Sequence, residues 1–186
     1  MVLQLLRHQF TVNQFHKMAE SGILSENDRV ELIRGEMIDM SPIGTRHSGC
    51  VLFLTNSLPL LLGKLALVSV RNPVELDEIS EPQPDIALLK PRPDFYSNSH
   101  PQPEDIFLLI EVADTTVKYD REVKIPLYAE ANISEVWLID VNQELIEVYR
   151  HPIQGIYQDI QTLEKNQSLS ILAFPDVNIN VSEIFS

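Results

Sequence analysis

The stretch Ile-Phe-Leu-Leu-Ile at residues 106–110, followed by Glu111 and Val112, decides how this chain folds. A continuous apolar run of this length is typical of a strand covered on both faces at the centre of an α/β sheet. Glu111 ends the run, and a carboxylate at that position is costly to bury without a cation. The stretch therefore predicts a central strand with a functional carboxylate at its end.

Helix and strand patterns alternate on either side of this strand. Helical spacing covers residues 10–25, 45–62 and 119–131. Strand patterns cover residues 67–71, 74–76, 85–89, 135–140 and 145–149, a hairpin at 29–40 turns at Arg34-Gly35, and 155–186 suggests further β-structure with a short ending. Strands separated by helices predict an α/β sheet with at least one parallel pair, in one domain over residues 1–186.

Three proline-containing segments affect where the predicted helices and loops begin and end. Pro59 would kink or divide the second helix, and Pro126 means that the third helix either kinks or begins near Ile125. Residues 90–104 hold four of the 12 prolines, which favours a loop and a candidate flap.

Composition narrows the class of protein. The chain has 186 residues, 44% hydrophobic and 22% charged, as in ordinary globular domains. Its one cysteine excludes an internal disulfide framework and a Cys-rich zinc site. No apolar run is long enough for a membrane helix and the N-terminus lacks a signal-peptide layout, so we expect a cytoplasmic protein with no membrane partner. The net charge of −13 argues against tight non-specific nucleic-acid binding, although a bound cation can reverse the local field.

Asp85, Glu111 and Lys124 are polar residues set in apolar surroundings. Hydrolysis of a phosphodiester needs a nucleophilic water and a stabilised leaving oxygen, and Mg²⁺ or Mn²⁺ supplies both when oxygen ligands hold it. Asp85, Glu111 and the Val112 carbonyl are the candidate metal ligands. Lys124 would position or help deprotonate the water and stabilise the developing negative charge.

Each of these residues also has a structural interpretation. Asp85 could cap a loop after Pro84, and Lys124 could be an exposed helix lysine paired with Asp120 four residues earlier. Glu31 and Glu36 could be ordinary polar residues of the hairpin. Strand alternation places Glu31 on the same side as Ile33, so Glu31 could face partly inward.

Several sequence blocks occur in an order that resembles a known nuclease family. Pro84-Asp85 followed by Glu111-Val112-Ala113 is similar to the signature of PD-(D/E)XK nucleases. The wider set comprises residues 31–36 with 40–42, His47, residues 84–87, residues 109–116, residues 119–121 with Lys124 and Tyr128, and residues 135–140. Together these blocks, over roughly residues 10–150, resemble the Uma2 family of endonucleases.

The resemblance implies a restriction-endonuclease-like core, in which helices flank a mixed central β-sheet, and a metal-dependent endonuclease activity. Ala113 stands where the broad signature has its lysine, and Lys124 matches a lysine that has moved to the following helix. His47 would contact phosphate or a metal-bound water, or else its side chain is satisfied by backbone at the helix start. Glu31 or Glu36 would approach the metal, and the sequence does not choose between them.

Three functions remain open at this point. The first is a Mg²⁺- or Mn²⁺-dependent endonuclease that binds DNA weakly or transiently. The second is a non-catalytic dimeric binding module that keeps the fold, and the third is a metal-dependent hydrolase of a small phosphate ester. A homodimer is expected, because cleaving both strands of a duplex benefits from two sites and twofold assemblies are common.

Overall fold

The computed structural model describes residues 7–25 and 27–185 of the chain. Its strands are β1 (Val30–Ile33), β2 (Glu36–Asp39), β3 (Leu67–Val70), β4 (Ile86–Leu89), β5 (Ile106–Ala113), β6 (Glu135–Asp140), β7 (Leu145–Ile153), β8 (Ile156–Glu164), β9 (Ser168–Ile171) and β10 (Phe174–Asn180). Its α-helices are α1 (Val12–Glu20), α2 (Thr45–Leu62), α3 (Val117–Tyr119), α4 (Ile125–Glu130) and α5 (Val181–Ile184). A 3₁₀ turn (Pro103–Asp105) precedes β5, and a π-helical turn (Asp120–Lys124) joins α3 to α4.

A six-stranded sheet in the order β3-β4-β5-β6-β7-β8 forms the centre of the fold. β5 and β6 run parallel, and every other neighbouring pair in this sheet is antiparallel. The parallel pair is connected by the helical segment 117–130, since parallel strands need a long crossover. This arrangement confirms the predicted mixed sheet with a parallel pair flanked by helices.

β5 is buried along its length, as its apolar run predicts, and it separates two hydrophobic cores. Leu108 and Ile110 face the core that includes α2, where Leu54 and Leu58 are fully buried. Each such leucine contributes roughly 2 kcal/mol of burial. Leu109 faces the opposite core, which includes α4. Strand alternation therefore turns Glu111 toward the α4 side of the sheet.

The helical segment after β5 owes its shape to Pro126. Proline has no N–H to donate and its ring crowds the preceding turn, so a regular α-helix cannot pass through it unchanged. The chain forms a π-helical turn immediately before it, in which the Ile125 N–H bonds to the Asp120 carbonyl. Helix α4 therefore begins at Ile125, which is one of the two alternatives predicted from the sequence, and the π-helical turn before it absorbs one extra residue. Lys124 is the last residue of that turn.

The hairpin of β1 and β2 forms as predicted. Arg34 and Gly35 both have positive φ, at 48° and 78°, as a two-residue turn matching the strand twist requires. A Cβ on Gly35 would lie 2.5 Å from the Cβ of Gln9, so glycine is required there for space as well as for conformation.

Other sequence-based bounds differ from the structure. The first helix is shorter than 10–25, because a capping box between Thr11 and Gln14 starts it and the turn at Ser21 ends it. α2 spans its predicted residues and is not divided by Pro59. The strand predicted at 74–76 is wrong, since Val74 donates to the Pro82 carbonyl in a local turn and joins no sheet.

The C-terminal residues cover the α2 side of the sheet. β9 and β10 form a separate antiparallel pair, and α5 follows. Leu169, Ile179 and Val181 join the core of that side, as expected from the predicted β-structure with a short ending. Among the helices of residues 7–25 and 27–185, none has the length and apolar character needed to cross a membrane.

Gly35→Ala is expected to destabilise the protein more than Gly22→Ala. Both glycines have a φ near 76–78°, but a Cβ on Gly22 meets nothing within 4 Å. Gly22→Ala should cost about 1 kcal/mol of conformational strain, whereas Gly35→Ala adds the clash with Gln9 and should cost at least about 1 kcal/mol more. Urea unfolding of both variants measures this difference, and equal costs would show that the segment around Gln9 moves aside.

Candidate active site

The buried ammonium group of Lys124 lies between two buried carboxylates. Its Nζ lies 3.0 Å from Oε2 of Glu31 and 3.2 Å from Oε1 of Glu111. The three residues are between 3% and 5% exposed. Lys124 reaches them because the π-helical turn ends there, directly above the end of β5. The alternative of an exposed lysine paired with Asp120 is excluded by this burial.

Two further contacts hold these carboxylates in place. The Tyr128 hydroxyl, fully buried one turn after Lys124, donates to the same Glu111 oxygen. The Gln83 N–H donates to Oε2 of Glu31 at 3.1 Å. β1, the segment before β4, the end of β5 and the crossover helix thus meet at one point.

Asp85 lies beside this cluster and is held by a separate set of donors. β4 and β5 pair Ile86 with Ile110, which places the preceding Asp85 next to Glu111. Oδ2 of Asp85 accepts from the Val112 N–H at 2.9 Å and lies 3.0 Å from Nε2 of His47.

The hydrogen bonds of His47 define which of its ring nitrogens carries the proton. Nδ1 of His47 lies 3.2 Å from a terminal nitrogen of Arg71, and a guanidinium can only donate. Nδ1 is therefore the acceptor, so Nε2 carries the proton and donates to Asp85. Nε of Arg71 also lies 3.4 Å from Oδ1 of Asp85. His47 thus bonds side chains rather than the backbone of its helix start.

Burial and crowding of charge shift the protonation of this cluster. Burial, together with neighbouring carboxylates and against the attraction of Lys124, raises the pKa of Glu111 to about 8. Burial alone would lower the pKa of Lys124, but Glu111, Glu31 and Asp120 outweigh it and hold that pKa above its ordinary value. Burial also raises the pKa of Asp120. Lys124 therefore stays protonated, and the carboxyl groups around it outnumber the cationic side chains.

These side chains line an open cavity of about 350 Å³. Its walls come from the β1–β2 hairpin, the start of α2, the end of β5 and the turn before α3. Tyr119 lines it too, and the hydroxyl of Tyr119 is buried with no hydrogen-bond partner among the described residues. An unpaired buried hydroxyl beside a cavity is available to a bound ligand.

The structure brings together most of the predicted site residues. Asp85, Glu111, Lys124, His47 and Glu31 line the cavity, as does Val112. Glu36 does not: it is 46% exposed on β2 and pairs with Arg7 at 3.0 Å. Of the two hairpin carboxylates, only Glu31 reaches the cavity, because Glu36 pairs with Ile33 beside the turn, at the other end of the hairpin from the cavity. The expectation that Glu36 approaches a metal does not fit its position.

Arg71 and Tyr119 line the cavity, and the sequence analysis gave neither residue a role in the site. Arg71 follows β3, and the pairing of Val70 with Ile86 places it beside Asp85. Its φ of 53° is strained for a non-glycine residue, a feature that clusters at functional sites. Knowledge that β3 pairs with β4 would have identified Arg71 as a neighbour of Asp85. The sequences of these two strands do not indicate which strand each of them pairs with.

Comparison with known proteins identifies the family of this chain. The sequence profile of the Uma2 family, described as "Putative restriction endonuclease", matches residues 12–182. The chain belongs to the Uma2 family. No curated protein matches it significantly. This assignment confirms the family predicted from the sequence blocks.

A solved structure shares the fold of this Uma2 chain. It is described as a "putative nuclease belonging to DUF820 from Anabaena variabilis ATCC 29413". The two superpose with a TM-score of 0.72 at 17% sequence identity, over 95% of this chain and 97% of that one. The predicted nuclease-like arrangement of a mixed sheet flanked by helices is therefore confirmed.

Glu111→Gln is expected to flatten the pH dependence of stability. Between the ordinary pKa of 4.5 and the raised value of about 8, the folded protein keeps a proton on Glu111 that the unfolded chain has lost. The free energy of unfolding should therefore fall, by up to about 1.4 kcal/mol per pH unit, as pH rises through this window. The glutamine variant should lose that component.

Urea unfolding at pH values across that window measures this slope. Glu36→Gln, which removes an exposed carboxylate, serves as the control and should keep the wild-type slope. Equal slopes in wild type and Glu111→Gln would contradict the raised pKa.

Proposed function

We propose that this Uma2 protein is a divalent-metal-dependent endonuclease that hydrolyses phosphodiester bonds of DNA. The observation that carries the proposal is the charged Lys124, buried between Glu31 and Glu111 and next to Asp85 at an open cavity. Membership of a family described as "Putative restriction endonuclease" supports it.

The donor set of the cavity fits a hard divalent cation. Asp85 and Glu111 are neighbouring carboxylates, and Mg²⁺ commonly binds through one or two carboxylates while it keeps several waters. Asp85, Glu111 and the Val112 carbonyl would hold Mg²⁺ or Mn²⁺. When bound, such an ion makes water nucleophilic and neutralises charge on the leaving oxygen.

Lys124 would act as a donor rather than as a base. The carboxylates around it raise its pKa, so it keeps its protons at neutral pH. It can orient a water through one N–H and stabilise negative charge on phosphorus, but it is unsuited to take a proton from that water. Glu31, on the other side of Lys124, would accept that proton.

Three other residues support substrate binding. His47 donates to Asp85 and so fixes the orientation of that carboxylate. Arg71 presents a half-exposed guanidinium at the cavity, where it can contact a phosphate oxygen. The free hydroxyl of Tyr119 is a further donor.

DNA binding is proposed to be weak and transient. With 14 basic against 27 acidic residues the chain cannot neutralise many phosphates at once, so attraction must come from the bound cation and a few arginines. A homodimer would place two sites on the two strands of a duplex. The chain is proposed to work as one domain, and a cytoplasmic location remains a prediction.

The size of the cavity also favours a second candidate, a hydrolase of a small phosphate ester. A volume of about 350 Å³ falls within the range of small-molecule sites. A soluble chromogenic phosphodiester separates the two activities, since a nuclease that depends on contacts along the polymer should process it poorly.

Asp85→Asn and Lys124→Ala are expected to abolish Mg²⁺- or Mn²⁺-dependent cleavage of supercoiled plasmid. Loss of a charged group that acts in the transition state typically costs at least about 100-fold in rate. Glu36→Gln and Lys118→Ala are the matched controls, since both residues are exposed and Lys118 precedes Lys124 on the same helical segment.

The assay compares supercoiled plasmid and single-stranded DNA, with circular dichroism of each variant to verify its fold. Cleavage that persists in Asp85→Asn would point to a contaminating nuclease. No cleavage by folded wild type on any DNA or chromogenic substrate would favour the non-catalytic binding module.

Mg²⁺ binding is expected to require Asp85 and Glu111 even in the absence of DNA. Removing one of two carboxylate ligands should weaken binding at least about tenfold. Isothermal titration of wild type, Asp85→Asn, Glu111→Gln and the Glu36→Gln control measures this. Unchanged Mg²⁺ affinity in both site variants would place the ion elsewhere.

A further inference from the structure

A second cluster of ligating side chains lies apart from the candidate active site. It consists of His16 on α1, Glu81 in the segment before β4, and His100 in the proline-rich loop before β5. One ligand atom from each lies within 4.8 Å of the other two. None of the three is among the described residues that line the active-site cavity.

Glu81 provides a buried negative charge at the centre of this cluster. Its side chain is 3% exposed, and Nε2 of His16 lies 2.8 Å from its Oε2. A carboxylate so deeply buried is stable when a cation neutralises it, and two imidazole rings approach it from the open side.

The backbone around each of the three residues is already anchored. The N–H at the start of α1, from Val12, bonds to the Glu78 carbonyl at 2.8 Å. Glu81 donates its N–H to the Leu32 carbonyl at 2.7 Å, which ties it to β1. Glu75 donates to the Pro101 carbonyl at 2.9 Å, next to His100. The ligand positions are therefore held without a metal, which lowers the entropic cost of binding one.

We propose that His16, Glu81 and His100 form a second divalent-metal site, of the transition-metal class represented by Zn²⁺. Two imidazoles and one carboxylate are a donor set that suits Zn²⁺ and leaves a position for water. Mg²⁺ prefers all-oxygen ligands, so the two sites of this protein select different ions.

The spacing of the cluster needs only a small adjustment to hold the ion. Tetrahedral Zn²⁺ with bonds of about 2.1 Å places its ligand atoms roughly 3.4 Å apart. Glu81 is fixed by burial, but the His16 side chain is 40% exposed and His100 is partly exposed, so both rings can rotate inward. The ion would then join α1 and the proline-rich loop to the segment that leads into β4.

The location gives this site a structural role. Glu81 lies two residues before Gln83, whose N–H donates to Glu31, and Asp85 follows two residues after Gln83. Clamping the segment at Glu81 would hold this stretch in position without contributing any group to the active-site cavity. The three ligands come from distant parts of the chain, so the ion also closes two long loops of the folded protein.

Isothermal titration of the chelator-treated, full-length protein with ZnCl₂ tests the proposal. Wild type should bind Zn²⁺, and His16→Ala and His100→Ala should each bind about 100-fold more weakly, because each removes one of three protein ligands. His8→Ala is the matched control for an exposed histidine, and Asp85→Asn is the control for the active site. Both should keep the wild-type Zn²⁺ affinity.

Thermal unfolding provides a second readout. Zn²⁺ should raise the Tm of wild type, His8→Ala and Asp85→Asn by several degrees, and should leave the Tm of His100→Ala unchanged. His100 lies in a loop, where a substitution disturbs the fold less than it does in a helix. His100→Ala therefore still tests the proposal if His16→Ala does not fold. Three results would overturn the proposal: no Zn²⁺ binding by wild type, equal binding by wild type and His100→Ala, or loss of binding in Asp85→Asn alone.

Discussion

The charged Lys124, buried between Glu31 and Glu111, is the interaction on which the rest of the site depends. A buried ammonium group is stable only when neighbouring carboxyl groups compensate it, and loss of a partner leaves an uncompensated charge. This constraint fixes where the β1 hairpin, β5 and the crossover helix meet. Under the proposed function, Asp85 and Glu111 would hold the cation, and Lys124 would interact with water and phosphate.

The π-helical turn before Pro126 shows how a local rule of backbone chemistry serves this arrangement. Proline cannot continue the hydrogen-bond pattern, and the chain accommodates it by inserting one residue. The turn ends at Lys124 and Tyr128 follows one turn later, so both side chains point at Glu111. A feature that weakens the helix thus positions two of the donors around the carboxylate.

The acidic composition is compatible with the proposed action on phosphodiesters, because the charges that matter at the cavity are local. The cavity gathers carboxylates that favour a divalent cation, while His47 and Arg71 satisfy Asp85 from the other side. A bound ion would reverse the sign of the field at the cavity without any change in the acidic surface. Under the proposed function, substrate contact would depend on a few groups close to the scissile phosphate.

Much of the fold and site could be predicted from sequence, for reasons that differ by element. The apolar run of β5, the hairpin turn and the α2 pattern are local signals, and each forms as predicted. The start of α1 and the absent strand at 74–76 were set by capping and local turn bonds that periodicity does not report. Strand pairing brought Arg71 to Asp85, and pairing is a long-range choice.

The sequence by itself determined the mixed sheet, the family, and the candidate roles of Asp85, Glu111 and Lys124, because periodicity and ordered motif blocks are written along the chain. Only the tertiary structure decided that Glu31 rather than Glu36 joins Lys124, and that His16, Glu81 and His100 converge. Those outcomes depend on contacts between segments that are distant in the sequence. Such contacts form only when the hydrophobic cores pack and bring distant segments together.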